Sequence, residues 1–199
     1  MDSVSGTDFD AAGEKVFSPS KLAHVVLRTN NFTAMRDFYL TFLGGRESHG
    51  NDFLSFITYD DEHHRIAIIN VPGTGPKNPT SSGLEHTAFT YPTISTLLLS
   101  YRQRKTRGIA PVWCVNHGPT SSIYYKDPDG NMIETQVDNF DTNEAANEFM
   151  CSKYFQENPI GTDFDVEEWI ERIRQGDDES VLKKRVEIGP RDLPNFESM

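Results

Sequence analysis

The chain has 199 residues and a formal net charge of −11, with only 36% of its residues hydrophobic. That length predicts one domain with appended arms and suffices for a sizeable core. A surface this acidic repels nucleic acid and anionic lipid, which excludes both as expected partners.

Residues 1–18 lack a periodic apolar pattern and read as an N-terminal arm. Met1 to Lys15 is polar and acidic, with no apolar signal core. The main domain is expected over residues 19–138 and holds an internal repeat. Leu22-Ala23-His24-Val25-Val26-Leu27 opens one unit, and Leu84-Glu85-His86-Thr87-Ala88-Phe89 opens another. Each is a short strand with histidine at its third position. In the first unit (19–75) a helix is predicted near Thr33 to Leu43, with Met35, Phe38, Tyr39 and Phe42 at helical spacing and Gly44-Gly45 as its stop. Three strands follow, near Arg46 to His49, Asp52 to Tyr59 and His64 to Val71. The segment Pro72 to Gly83, rich in Gly, Pro, Ser and Thr, is the connector.

In the second unit (83–138) Thr93 is the predicted N-cap of a helix from Ile94 to about Arg107, which Gly108 ends. Strands are predicted near Val112 to Val115, Ser121 to Lys126 and Asn131 to Val137. Asp127-Pro128-Asp129-Gly130 makes the turn between the last two. The pattern is βαβββ twice. Residues 139–199 form a charged extension with one clear helix, Val166 to Arg174. Val166, Trp169, Ile170 and Ile173 lie on one face of it, and Gly176 follows as a stop. No stretch is long enough to span a bilayer. The two cysteines, Cys114 and Cys151, sit in no metal or CxxC spacing. Reduced thiols and a cytoplasmic location are the expectation.

The chemistry is read from the six histidines, His24, His49, His63, His64, His86 and His117. One histidine on a strand is usually a core residue. His24 and His86 occupy matching positions of a repeat, and two imidazoles facing each other across a pseudo-twofold axis suggest a metal site. On the last strand Met132, Glu134 and Gln136 share a face. A carboxylate in mid-strand, if buried, needs a cation partner; the alternative is a glutamate on a solvent-facing edge. Aligning the units at their last strands puts Ala67 opposite Glu134, so the donor set is two histidines and one carboxylate. That set, with open coordination positions, is the arrangement expected of non-haem Fe(II). In a hairpin centred on Asp129, Tyr124 is the cross-strand neighbour of Glu134. Its hydroxyl can serve a substrate oxygen, or the ring can simply pack. His64, which starts the fourth strand, and His117, on the loop before the seventh, are general acid–base candidates. Simple alternation puts His64 on the face opposite Ala67, so it reaches the metal only if the regular strand has not begun there. His63 is expected to be exposed beside Glu62, and His49 to lie on the surface.

These residues resemble the type I extradiol ring-cleaving dioxygenases of the vicinal-oxygen-chelate superfamily, and best the catalytic half of 2,3-dihydroxybiphenyl dioxygenases. His63-His64-Arg65-Ile66-Ala67 looks like that family's paired histidines opening a strand. Ser122-Ile123-Tyr124-Tyr125-Lys126-Asp127-Pro128-Asp129-Gly130 with Ile133-Glu134 looks like its Ser-Phe-Tyr strand, turn and ligand glutamate. The resemblance spans about residues 20 to 138. It implies an α+β fold in which the paired βαβββ modules form an open eight-stranded barrel, followed by a C-terminal helical tail. It implies Fe(II) on His24, His86 and Glu134, with Mn(II) suiting the same ligands. His64 would be the acid–base beside dioxygen, and His117 and Tyr124 would meet the substrate hydroxyls or intermediates. The implied partners are a catechol and dioxygen.

The chain departs from that family in three ways. One pair of units is expected where well-known members carry an additional noncatalytic pair, His117 lies slightly closer to the glutamate, and the extension is distinctive. Asn158-Pro159-Ile160-Gly161-Thr162-Asp163-Phe164-Asp165 resembles short bacterial dioxygenase-like proteins. The apolar face around Trp169 is expected to pack over the barrel or a second subunit, a homodimer being the default assembly. The competing readings are a glyoxalase-like divalent-metal isomerase or lyase, which Ala67 disfavours, and a non-catalytic small-molecule binder.

Overall fold

A computed structural model describes residue 10, residue 13 and residues 15–194. Most of the N-terminal arm expected over residues 1–18 therefore lies outside the described residues. The first unit contains β1 (Val25–Thr29), α1 (Phe32–Leu43), β2 (Arg46–Gly50), β3 (Leu54–Thr58) and β4 (Ile66–Asn70). The second contains β5 (His86–Thr90), α2 (Ile94–Lys105), β6 (Trp113–Asn116), β7 (Thr120–Lys126) and β8 (Met132–Asp138). Each unit is βαβββ, as its sequence predicts. Gly44 ends α1 in the left-handed region, at φ +60°, a conformation that glycine adopts without cost. Thr93 caps α2 by accepting the Thr96 backbone N–H, and Thr96 returns the bond.

The first sheet has strand order β1-β4-β3-β2, with β1 parallel to β4. The second runs β5-β8-β7-β6-β9, where β9 (Thr162–Asp163) comes from the extension. Their registers make the repeat explicit: Val26 pairs with Ala67 across β1 and β4, as Ala88 pairs with Glu134 across β5 and β8. His24 and His86 each lie two residues before those matched positions. They are equivalent in the repeat, as are Ala67 and Glu134.

One apolar core joins the units. Met35, Tyr39 and Phe42 of α1 meet Ile57, Ile66 and Ile68 of the first sheet, Ile123, Tyr125, Ile133 and Val137 of the second, and Ile94, Leu97 and Leu98 of α2. Each fully buried aliphatic side chain contributes roughly 1.5–3 kcal/mol. Two polar ties fix how the units meet. Tyr39 donates to Asp127 Oδ2 at 3.0 Å. Buried Arg104 donates to Phe42 O at 3.0 Å and Tyr91 Oη at 2.6 Å, with its guanidinium 3.9 Å over the Phe42 ring.

The extension is more structured than its single predicted helix. It carries α3 (Asn143–Met150), α4 (Lys153–Glu157), α5 (Val166–Arg174) and α6 (Glu179–Lys183). Only α5 has the long amphipathic pattern that can be read from sequence. The others are short, and hydroxyl or carboxylate N-caps at Thr142, Ser152 and Asp178 start them. The α5 face of Val166, Trp169 and Ile170 is buried against this chain's own core, and Glu167 accepts the Tyr101 hydroxyl of α2 at 2.8 Å. Glu179 accepts the Ile94 and Ser95 N–H groups at the start of α2, at 2.9 and 2.8 Å. Both cysteines are free, and burial pushes the Cys114 thiol up to about 12. Among the described residues no helix is long and apolar enough to cross a membrane.

Candidate active site

Glu134 and Tyr124 stand directly opposite one another on β8 and β7, the juxtaposition the hairpin turn predicts. Glu134 is buried at 5% exposure, with its Oε2 3.0 Å from His86 Nε2. The glutamate is thus interior, and its neighbour is an imidazole rather than a solvent edge. Burial alone would raise its carboxyl, but hydrogen bonds from His86 and Ser122 outweigh burial and hold it below the usual carboxylate range. The same contact raises His86 above the ordinary imidazole value.

Tyr124 is packed by the Trp113 ring, stacked at 5.0 Å, and its hydroxyl lies 3.0 Å from His117 Nε2. Burial raises the phenol far above its ordinary value, with the Glu134 charge adding to the effect, so it stays protonated. His117 follows β6. Burial lowers its imidazole, partly offset by a hydrogen bond from Nδ1 to the Ile160 carbonyl at 2.6 Å. His86, Glu134, Tyr124 and His117 therefore form one polar cluster on the second sheet.

His24 and His64 form a second cluster on the first unit, their rings 4.2 Å apart. β4 begins at Ile66, so His64 precedes the regular strand and escapes its alternation. Its ring stacks on Phe56 at 4.3 Å, and Phe56 is the residue paired with Ala67. His64 thus reaches Ala67's face, against the simple-alternation expectation. Burial and the neighbouring His24 and His63 lower its imidazole. His24 is exposed, just ahead of β1. His63 is exposed beside Glu62, and His49 lies exposed on β2, 6.1 Å from the Phe56 ring.

A buried carboxylate backed by Ser122, in contact with a half-buried imidazole, makes a donor pair that suits Fe(II) or a similar divalent ion. Among the described residues no three His, Cys, Asp or Glu side chains group closely enough to hold one ion. The pair His86–Glu134 thus fits as two donors, while His24 stands apart from them with His64. Trp113 and Arg185 stand in no motif that would mark them from sequence. Only the Asn-Pro-Ile-Gly run signalled the loop that bonds His117.

The family model that matches is the Glyoxalase/Bleomycin resistance protein/Dioxygenase superfamily, over residues 21–135. The chain belongs to this superfamily. Two relatives from Rhodococcus globerulus are similar along most of their length. Biphenyl-2,3-diol 1,2-dioxygenase 2 is 45% identical over 73% of this chain and 77% of its own. Biphenyl-2,3-diol 1,2-dioxygenase 3 is 42% identical over 83% of this chain and 88% of its own. A solved glyoxylase/bleomycin resistance protein/dioxygenase domain from Frankia sp. EAN1pec has TM-score 0.52 at 18% identity, covering 61% of this chain and 93% of that one. At that identity the likeness is one of fold alone. The superfamily match covers the βαβββ pair as far as the middle of β8 and stops before the extension. The match to the second dioxygenase spans 167 residues and so exceeds the length of the superfamily match.

Proposed function

We propose that this chain is an extradiol-type dioxygenase that opens a catecholic ring with dioxygen, using Fe(II). The observation that carries the reading is buried Glu134 in contact with half-buried His86, beside Tyr124 and His117, in a chain 45% identical to a biphenyl-2,3-diol dioxygenase. His86 and Glu134 would hold the metal; the third donor under this reading is His24, at the repeat position matching His86, which would have to come over from its place beside His64. Fe(II), when bound there, supplies Lewis acidity and a template for diol and dioxygen together.

The residues of the chain supply the proton chemistry. His64 is neutral at neutral pH because burial lowers it, so it can accept a proton from a catechol hydroxyl. Tyr124 remains protonated and can donate a hydrogen bond to a substrate oxygen. His117 presents Nε2 to the same hydroxyl at 3.0 Å and can take up or return its proton. Trp113 walls the Tyr124 ring from solvent. A glyoxalase-like four-donor site lacks its second carboxylate, since Ala67 stands at the position that matches Glu134. The partners under this reading are a catechol and dioxygen.

The test is spectrophotometric. The chain is loaded anaerobically with Fe(II) and mixed with aerated biphenyl-2,3-diol, catechol and substituted catechols. A yellow ring-opened product formed only with diol, dioxygen and metal present is the expected result. Metal binding without product from any diol, combined with turnover of a glutathione hemithioacetal, would overturn the reading in favour of the isomerase.

A further inference from the structure

We infer that the C-terminal extension is part of the active site: its Asn158–Gly161 turn, clamped by Arg185, fixes the tautomer of His117 and thereby aims Nε2 at Tyr124. The inference rests on the reading of His117 and Tyr124 as site residues.

The turn is built around the Asn158 side chain, which is 1% exposed. Its Oδ1 accepts the N–H groups of Ile160 and Gly161 at 3.1 and 2.8 Å, and its Nδ2 donates to Gly161 O at 3.1 Å. Gly161 has φ +102°, and a Cβ there would lie 2.2 Å from Asn116 O and 2.7 Å from His117 Cα. Only glycine allows this approach, which brings the turn against the backbone at His117. The next two residues seal it as β9, paired to the edge of β6.

The consequence is chemical. The Ile160 carbonyl, 2.6 Å from His117 Nδ1, can only accept, so Nδ1 must carry the hydrogen. In the neutral ring Nε2 is then the acceptor, and it is Nε2 that faces the Tyr124 hydroxyl. Arg185 holds the two partners in register. Its side chain is 1% exposed. Nη1 donates to His117 O at 3.1 Å and Asn158 O at 2.7 Å, and Nη2 donates to Tyr154 O at 3.0 Å and to Glu187. One guanidinium thus ties the loop bearing His117 to the loop bearing its tautomer-setting carbonyl. Arg191 adds a bond to Gly161 O at 3.1 Å. Asn158, Gly161 and Arg185 are positioning residues. They touch no reacting atom, and they act through His117.

The tautomer can be read directly, in the full chain loaded with Zn(II) as a diamagnetic occupant, by 15N–1H correlation of labelled histidines. His117 is assigned by its absence from the spectrum of His117→Gln. The expected result is an Nδ1–H ring in the unaltered protein and a mixture of tautomers in Asn158→Ala. Asn158→Asp, which keeps the Oδ1 acceptor, restores the Nδ1–H signature. In the Fe(II) form Asn158→Ala and Arg185→Lys should lose about 10- to 100-fold in kcat, the range for groups that orient a site residue. KM for biphenyl-2,3-diol and bound iron should change little. An Nε2–H tautomer in the unaltered protein would overturn the inference, and that reading needs no variant to fold. So would an unchanged tautomer and kcat in Asn158→Ala. If no diol is turned over, the dioxygenase reading fails while the tautomer spectrum still decides this one.

Discussion

Tyr124 faces Glu134 across β7 and β8, and the pair in the corresponding place of the first unit is Phe56 and Ala67. One scaffold carries hydroxyl and carboxylate in its second copy and apolar groups in its first. Phe56 shows that this strand position accepts phenylalanine. Tyr124→Phe is therefore expected to fold, losing about 1–2 kcal/mol for the contacts its hydroxyl makes with His117 and Glu134. Under the proposed role of this hydroxyl, its kcat should fall at least about tenfold. Urea unfolding and steady-state kinetics on the same preparation check both.

Glu179 ties the extension to the main domain by receiving the first N–H groups of α2. Burial alone would raise its carboxyl, but the hydrogen bonds from Ser95 and Ile94 prevail and lower it. A lowered folded-state value stabilises above the unfolded glutamate value, and that stability fades as pH falls through the folded value. Glu179→Gln should therefore melt below the unaltered protein at neutral pH. The gap should close as the pH is brought below the ordinary glutamate range. A melting series across pH measures it, and a gap that persists in acid would contradict this role for the carboxylate.

Arg104 is a buried cation whose partners are a backbone carbonyl, two hydroxyls and aromatic faces. Arg104→Met keeps much of the volume but strands Phe42 O and Tyr91 Oη. The expected loss is about 2–4 kcal/mol, read as a lower urea midpoint. Because Arg104 bonds α1 from α2, the loss reports how firmly the two units are held together.

Tyr39 and Asp127 make the other tie between units, at 3.0 Å. Asp127 also accepts from the Asp129 and Asn131 backbone and from the Asn131 side chain. Its turn is thus held independently of Tyr39. Tyr39→Phe should cost only about 1 kcal/mol, with the diol activity unchanged. A large loss of activity would mean that the turn positions Glu134 through this bond.

The repeat was legible because each unit opens on a histidine at the matching position and follows it with a helix that a glycine ends, Gly44 in the first and Gly108 in the second. Boundaries moved by a few residues, and His64 shows why that matters. β4 starts at Ile66 rather than His64, so parity could not place the ring, and only the stack on Phe56 did. Glu134 opposite Tyr124 was readable from the turn length alone. The short helices α3, α4 and α6 were not, because helices of five to eight residues show too little periodicity. Arg185 could not be found from sequence, because its three backbone acceptors, at His117, Tyr154 and Asn158, lie 27 to 68 residues away from it in the chain. The placement of His24 beside His64, apart from Glu134, likewise depends on how the units pack.

The measurement that bears most directly on the central claim is dioxygen consumption by the Fe(II)-loaded protein with biphenyl-2,3-diol, compared with Glu134→Ala. Uptake is expected to require the diol and to disappear in the variant together with its bound iron. Uptake that survives the loss of Glu134, or iron that stays bound without it, would contradict the account.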